Sequence, residues 1–279
     1  MLNEYFNFRS NSLSGSMFKN VRCNNSYICK MKTVIIGSGN VAYHLCRAFS
    51  ENGISITQLF GRNHEALQEI GNEFNIPFST SAPADADLYI IAVSDASVAE
   101  VSAQIKKADC IVAHTSGSLP KEIMVGNYRK ASFYPMQTFS KDKTLDYANV
   151  PVFVEAEDAE DRETLKLLAS KISDRVSESD FETRKYMHIT AVFACNFVNH
   201  LFARAKEIAD SKQIPFSYFE PLIDETVEKI KILEPKSAQT GPAVRHDERI
   251  LKLHQELLSG EHLKIYNVMN ESIKDMYEL

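Results

Sequence analysis

The stretch from Thr33 to Phe49, TVIIGSGNVAYHLCRAF, limits the folds open to this chain more than any other. An apolar run, Thr33-Val34-Ile35-Ile36, leads into Gly37-Ser38-Gly39-Asn40-Val41-Ala42, and a helical pattern follows. The spacing fits G-x-G-x-x-G/A. The first glycine permits a tight turn, the second lets backbone approach a pyrophosphate, and the small Ala42 lets the helix pack close to the strand. The helix start then offers unpaired N–H groups and a positive dipole end to an anion. Such a motif is weak by itself. Here it gains weight from the strand before it, the helix after it and a second strand at the right distance. A tight turn without a ligand is the competing reading.

From Lys32 to about Ser179, apolar runs alternate with helical patterns. The runs Thr33–Ile36, Ser55–Phe60, Pro77–Ser79, Leu88–Val93, Cys110–His114, Ser132–Tyr134, Val152–Glu155 and Arg175–Ser177 read as strands. Helices are expected at Val41–Asn52, His64–Phe74, Ala96–Lys107 and Ala159–Ile172. This rhythm predicts a doubly wound parallel sheet. From about Asp180 onward the apolar spacing is helical. One helix, Phe181–Ser211, is expected to run about thirty residues, or roughly 45 Å. Further helices are expected at Tyr218–Leu233, Ala243–Leu258 and Leu263–Met276. The expected division is therefore an extension or upstream sequence at 1–30, a nucleotide-binding α/β domain at 31–179 and an all-α domain at 180–279. The 1–30 segment is rich in Asn and Ser and lacks the apolar core of a secretory signal.

The formal net charge of −6 argues against nucleic-acid or membrane-surface partners. No run of about eighteen apolar residues is present, so no membrane span is expected. The five cysteines show no metal-site spacing, which favours reduced thiols in a cytoplasmic protein and no metal site.

The end of the second strand selects the dinucleotide. An NAD site usually places Asp or Glu there to hold the ribose hydroxyls. This chain has Gly61-Arg62-Asn63. No carboxylate would repel a 2′-phosphate, and Arg62 can pair with one and stack on adenine, so NADP(H) is the expected cofactor. The strand ends that follow belong to the same rim and carry Val93-Ser94, His114-Thr115-Ser116 and Pro135-Met136-Gln137. The expected cofactor-binding set is Gly37, Ser38, Gly39, Asn40, Val41, Arg62, Asn63, Val93, Ser94, Thr115, Ser116, Pro135 and Met136. His114 reads equally well as a cofactor contact and as a strand-end histidine bonded to backbone.

The segments GSGNVA, AVSDASV, HTSGSL and FYPMQTF resemble a family of predicted NADP-dependent oxidoreductases. Its members join a Rossmann-like N-terminal domain to a C-terminal domain of unknown function of the DUF2520 type. YMHITAVFACNFVNHL and PKSAQTGPAVRHD are similar to that second domain. The resemblance covers roughly Lys32 to the end. It implies kinship with pyrroline-5-carboxylate reductase and the 6-phosphogluconate dehydrogenase-like superfamily. It also implies NADPH as hydride donor, an active site at the interdomain cleft and a homodimer built through the C-terminal helices. A deazaflavin-linked relative exists in that superfamily, and no residue here points to a deazaflavin. The catalytic Lys of the β-hydroxyacid dehydrogenases stands about four residues before an Asn. Lys185 precedes Asn196 by eleven, so that role is not carried over.

On a straight helix at 100° per residue, Lys185, His188, Val192, Asn196 and Asn199 fall within roughly a quarter turn. A polar stripe on a largely apolar helix calls for partners: substrate, a second subunit or solvent. His188 is the first choice of proton donor because its ordinary pKa lies near working pH. Asn196 and Tyr186 complete the expected catalytic set. Downstream, Thr240-Gly241-Pro242 reads as a helix cap and first turn. Arg245 could grip a substrate carboxylate with Asp247 orienting it, or the two could pair across a dimer interface. Gln137, Thr240, Gly241 and Arg245 are the expected substrate-binding residues. The expected activity is an NADPH-dependent reductase of a small imine or carbonyl compound. The alternatives are an NADP(H)-binding sensor or scaffold without turnover, and a methyltransferase using S-adenosylmethionine. Arg62, in place of an acid, disfavours the last.

Overall fold

The computed structural model of the chain describes residues 30–278. The expectation for residues 1–30 falls almost wholly outside them. The chain divides into two compact units, one ending at Val192 and one beginning at Phe193.

The first unit is an eight-stranded sheet in the order β3-β2-β1-β4-β5-β6-β7-β8. Its strands are β1 (Thr33–Ile36), β2 (Ile56–Phe60), β3 (Phe78–Ser79), β4 (Leu88–Ile91), β5 (Ile111–His114), β6 (Arg129–Pro135), β7 (Val152–Ala156) and β8 (Val176–Glu178). The helices α1 (Asn40–Glu51), α2 (His64–Phe74), α3 (Val98–Ser102) and α4 (Ala159–Ser170) lie between them in sequence. Every residue of β1, β4 and β5 is buried, as the continuous apolar runs require when both sheet faces are covered. Alternate residues feed two cores. Ile35, Leu59 and Phe133 pack with Phe49 of α1, Leu67 of α2 and Leu165 of α4. Val34, Ile36 and Val112 pack with Val98 and Val101 of α3.

The sheet is the doubly wound one expected and mostly parallel, with β6 and β7 alone pairing antiparallel among the described strands, Ser132 facing Glu155 and Tyr134 facing Phe153. One expectation needs correction here. The expected helix Ala96–Lys107 is a 3₁₀ turn, Asp95–Ser97, followed by the short α3. It stops where the buried Ser102 hydroxyl donates to the Ala99 carbonyl and accepts from the Val125 N–H.

The expected thirty-residue helix is also corrected. It is α5 (Phe181–Ala191), a π-helical segment (Val192–Phe197) and α6 (Val198–Ser211). The second unit continues with α7 (Glu220–Ile232), α8 (Pro235–Ala238), α9 (Glu248–Leu257) and α10 (Gly260–Met276). The helix expected at Ala243 begins only at Glu248. Asp247, not Thr240, is the cap, its carboxylate accepting from the Ile250 N–H. Residues 241–246 form a bend and turns, with Gly241 at φ +115° and His246 at +51°, outside the right-handed helical region. No helix among the described residues is long and apolar enough to cross a membrane.

Candidate functional site

A cavity of about 420 Å³ opens at the C-terminal ends of β1, β2 and β4. Its lining brings together Gly37, Ser38, Gly39, Asn40, Val41, Arg62, Asn63, Val93 and Ser94. The two glycines do different work. Gly37 stands at φ +133°, and a Cβ there would lie 2.1 Å from the Ala92 carbonyl oxygen, so the turn passes too close to β4 for any other residue. Gly39 is the N-cap of α1, with no side chain capping the helix. A Cβ on Gly39 meets nothing within 4 Å. The first-turn N–H groups of α1 are thus left to a ligand, as a pyrophosphate cradle requires.

Beside the end of β2, Arg62 is exposed and no carboxylate among the described residues pairs with it. Asn63 lines the same wall, but its side chain is committed to capping α2 through the Ala66 N–H. Asn40 is similarly held, its Nδ2 donating to the Phe139 carbonyl at 2.9 Å. Sequence reasoning missed Thr80, Ser97 and Gln104, which also line the cavity. Thr80 follows the two-residue β3, whose Ser79 pairs with Phe60 of β2, so it emerges beside Gly61-Arg62. Only that pairing reveals it.

Thr115, Ser116, Pro135 and Met136 do not line this cavity. They stand on the same rim, at the ends of β5 and β6. The Thr115 hydroxyl donates to the Ile91 carbonyl and the Met136 N–H to the Pro151 carbonyl. Gln137 turns back on its own chain, accepting from the Thr138 N–H. His114 takes the backbone-bonded arrangement: it is wholly buried, and its Nδ1 accepts from the Ser116 N–H at 3.1 Å. Burial, reinforced by the Arg184 charge, lowers its pKa to about 4. It is a neutral structural imidazole at working pH.

His188 lies on α5 against this rim. Its Nδ1 is 3.2 Å from the Tyr134 hydroxyl, with the rings edge-on. Gly117 makes the approach possible, since a Cβ there would stand 2.8 Å from both the His188 Cβ and Nδ1. One turn earlier, Arg184 is fully buried. It donates to Glu155 Oε2 and to the Leu119 carbonyl at 2.7 Å. Lys121 reaches the other Glu155 oxygen at 3.1 Å.

The remaining candidates do not join this group. Tyr186 is 66% exposed under the Lys185 ammonium, which itself pairs with Glu182. The expected polar stripe stops at Ala191, because the π segment carrying Asn196 winds with more residues per turn than the projection assumed. In the second unit, Thr240, Gly241 and Arg245 share the 240–247 segment. Arg245 is exposed, and Asp247, its expected orienter, is spent on the α9 cap. No cluster of three or more metal-ligating side chains occurs among the described residues.

The chain matches two families. One, described as "NADP oxidoreductase coenzyme F420-dependent", matches residues 32–117, and a domain of unknown function, DUF2520, matches residues 150–273. The crystal structure of a putative NADP oxidoreductase from Bacteroides fragilis is 38% identical, with a TM-score of 0.84, covering 90% of this chain and all of that one. The chain therefore belongs to this NADP oxidoreductase family, and NADP(H) is its cofactor. A Thermotoga maritima protein shares the fold at 19% identity and TM-score 0.67, covering 88% of this chain and 98% of its own. A 1-pyrroline-5-carboxylate reductase from Streptococcus pyogenes does so at 12% and 0.57, covering 89% and 99%. No functionally curated protein matches the chain.

Proposed function

We propose that the protein reduces a small imine or carbonyl compound with NADPH, and that His188 is the proton donor. The observation that carries this reading is the seat of His188. It is held by Tyr134 and Gly117 on the rim of the same sheet whose glycine loop and Arg62 form the dinucleotide cavity. The α1 N-terminus would hold the pyrophosphate, and Arg62 with Thr80 the 2′-phosphate. NADPH held there would supply the hydride for the acceptor carbon. The negative charge that develops on the acceptor oxygen or nitrogen takes a proton from His188.

NADPH should bind more tightly than NADH, and at least one imino or oxo acid should oxidise it. Coenzyme F420 belongs in the same screen as an acceptor, since the matched family is described by it. An unchanged single-turnover hydride rate in His188→Ala would remove the donor role. Tight NADPH binding with no oxidation by any acceptor would leave a nucleotide sensor instead.

Self-association through the second unit is part of the proposal. Phe193, Ile230, Ile232, Leu257 and Val268 are all at least half exposed there, while few apolar side chains of that unit are buried. Exposed apolar area on this scale supports a second copy as its cover. Sedimentation at micromolar concentration would show a dimer. A monomer would refute this part alone.

A further inference from the structure

We propose that Tyr134 is a positioning residue that sets the tautomer of His188, its phenolic O–H donating to Nδ1 so that the imidazole proton resides on Nε2. The proposal rests on the reading of His188 as proton donor and adds which atom gives the proton: as the Nε2 proton passes to the acceptor, the Tyr134 proton moves to Nδ1, so the ring stays neutral and the phenolate left near the Arg184 charge is reprotonated by solvent.

A neutral imidazole has one nitrogen that donates and one that accepts, and the partner of one fixes the role of the other. Tyr134 is 7% exposed, and His188 Nδ1 is the only hydrogen-bond partner of its hydroxyl among the described residues. Were Nδ1 protonated, the phenol's own proton would be left without an acceptor, an arrangement that costs the full desolvation of that group. At rest the phenol keeps its proton: burial raises its pKa, and the Arg184 charge offsets this only in part.

The ring cannot easily swing away to escape this partner. Gly117 backbone lies directly beneath it, and α5 is pinned one turn earlier by Arg184 on Glu155 and the Leu119 carbonyl. Three segments, β6, the loop after β5 and α5, thus agree on one ring orientation. It presents Nε2 away from Tyr134, as a proton carrier for an acceptor needs.

The test is nitrogen-15 NMR of the histidine rings in the full chain near neutral pH, which needs no substrate. Wild type should show His188 as the Nε2–H tautomer. Tyr134→Phe should lower the ratio of Nε2–H to Nδ1–H by about tenfold, as the loss of one net hydrogen bond implies. It should leave the NADPH dissociation constant unchanged, because Tyr134 does not line the nucleotide cavity. Gly117→Ala, which keeps the phenol but displaces the ring, should lose the same signature. An Nδ1–H tautomer in wild type would overturn the proposal without any variant, and so would a tautomer unmoved in Tyr134→Phe. The two readings separate cleanly. A hydride rate unaffected by His188→Ala removes the donor role whatever the tautomer. An Nδ1–H tautomer with a rate lost in His188→Ala keeps the donor and removes Tyr134.

Discussion

Arg184 Nη1 lies 2.5 Å from Glu155 Oε2, and the guanidinium is wholly out of solvent. A buried pair of this kind is weak evidence of net stability, but removing one partner leaves the other charge uncompensated. Arg184→Met should therefore destabilise the first unit by about 3 kcal/mol. Lys121, which also holds Glu155, keeps the loss from being larger. Urea unfolding followed by circular dichroism would measure it.

The two glycines of the loop should fail in different ways. Gly37→Ala forces a methyl into the Ala92 carbonyl at a positive φ, so the protein should lose thermal stability and with it NADPH binding. Gly39→Ala has free space and ordinary dihedrals, so its melting temperature should match wild type. Its methyl should nevertheless keep the pyrophosphate off the α1 N-terminus and weaken NADPH about tenfold or more, the value of one charge-assisted hydrogen bond. Melting curves paired with fluorescence titration separate the two.

Arg62→Ala should raise the NADPH dissociation constant by about tenfold to a hundredfold, as loss of a charged contact to phosphate implies. The NADH constant should stay where it is, because NADH lacks the 2′-phosphate. Equal losses for both nucleotides would mean that Arg62 acts only by stacking on adenine.

Acid should destabilise the protein through His114. Its folded pKa of about 4 lies below the ordinary value of 6.5, so the unfolded chain binds a proton that the folded chain refuses. Its contribution is complete above pH 6.5 and is lost as pH falls to 4, by about 3 kcal/mol over that window. In His114→Gln the dependence of the urea midpoint on pH should flatten between these limits.

The start of α9 gives a compact check on the second unit. Asp247→Ala should cost about 1 kcal/mol by removing the cap on the Ile250 N–H. Thr240→Ala, at the cap position the sequence suggests, should change unfolding free energy by less than about 0.5 kcal/mol.

These contrasts mark where sequence is informative. The continuous apolar runs of β1, β4 and β5 are legible because only a sheet covered on both faces can bury them, and the glycine loop between β1 and α1 is legible by its spacing. Strand direction is not, since residues in β7 alternate in the same way whichever way the strand runs. The α9 start misleads because Thr240-Gly241-Pro242 and Asp247 are both good helix openings, and only backbone angles choose between them. Thr80 depends on a pairing two residues long. Arg184 sits in Thr183-Arg184-Lys185, which reads as a solvated face, and nothing local tells that it is buried against a residue twenty-nine positions away.

On the proposed reading, the reversal at β7 decides where a proton can be delivered. Strands β1 to β6 all carry the chain toward the rim that bears the glycine loop. Because β7 runs back from Val152, opposite Pro135, to Ala156, opposite Ala131, and β8 follows it, the chain leaves the sheet at the end remote from the glycine loop. It must then climb. Helix α5 makes that ascent along the sheet, meeting Glu155 with Arg184 and, a turn higher, Tyr134 with His188. Had β7 followed its neighbours, the chain would have left the sheet beside the glycine loop and the same helix would have run outward, carrying its histidine away from that rim.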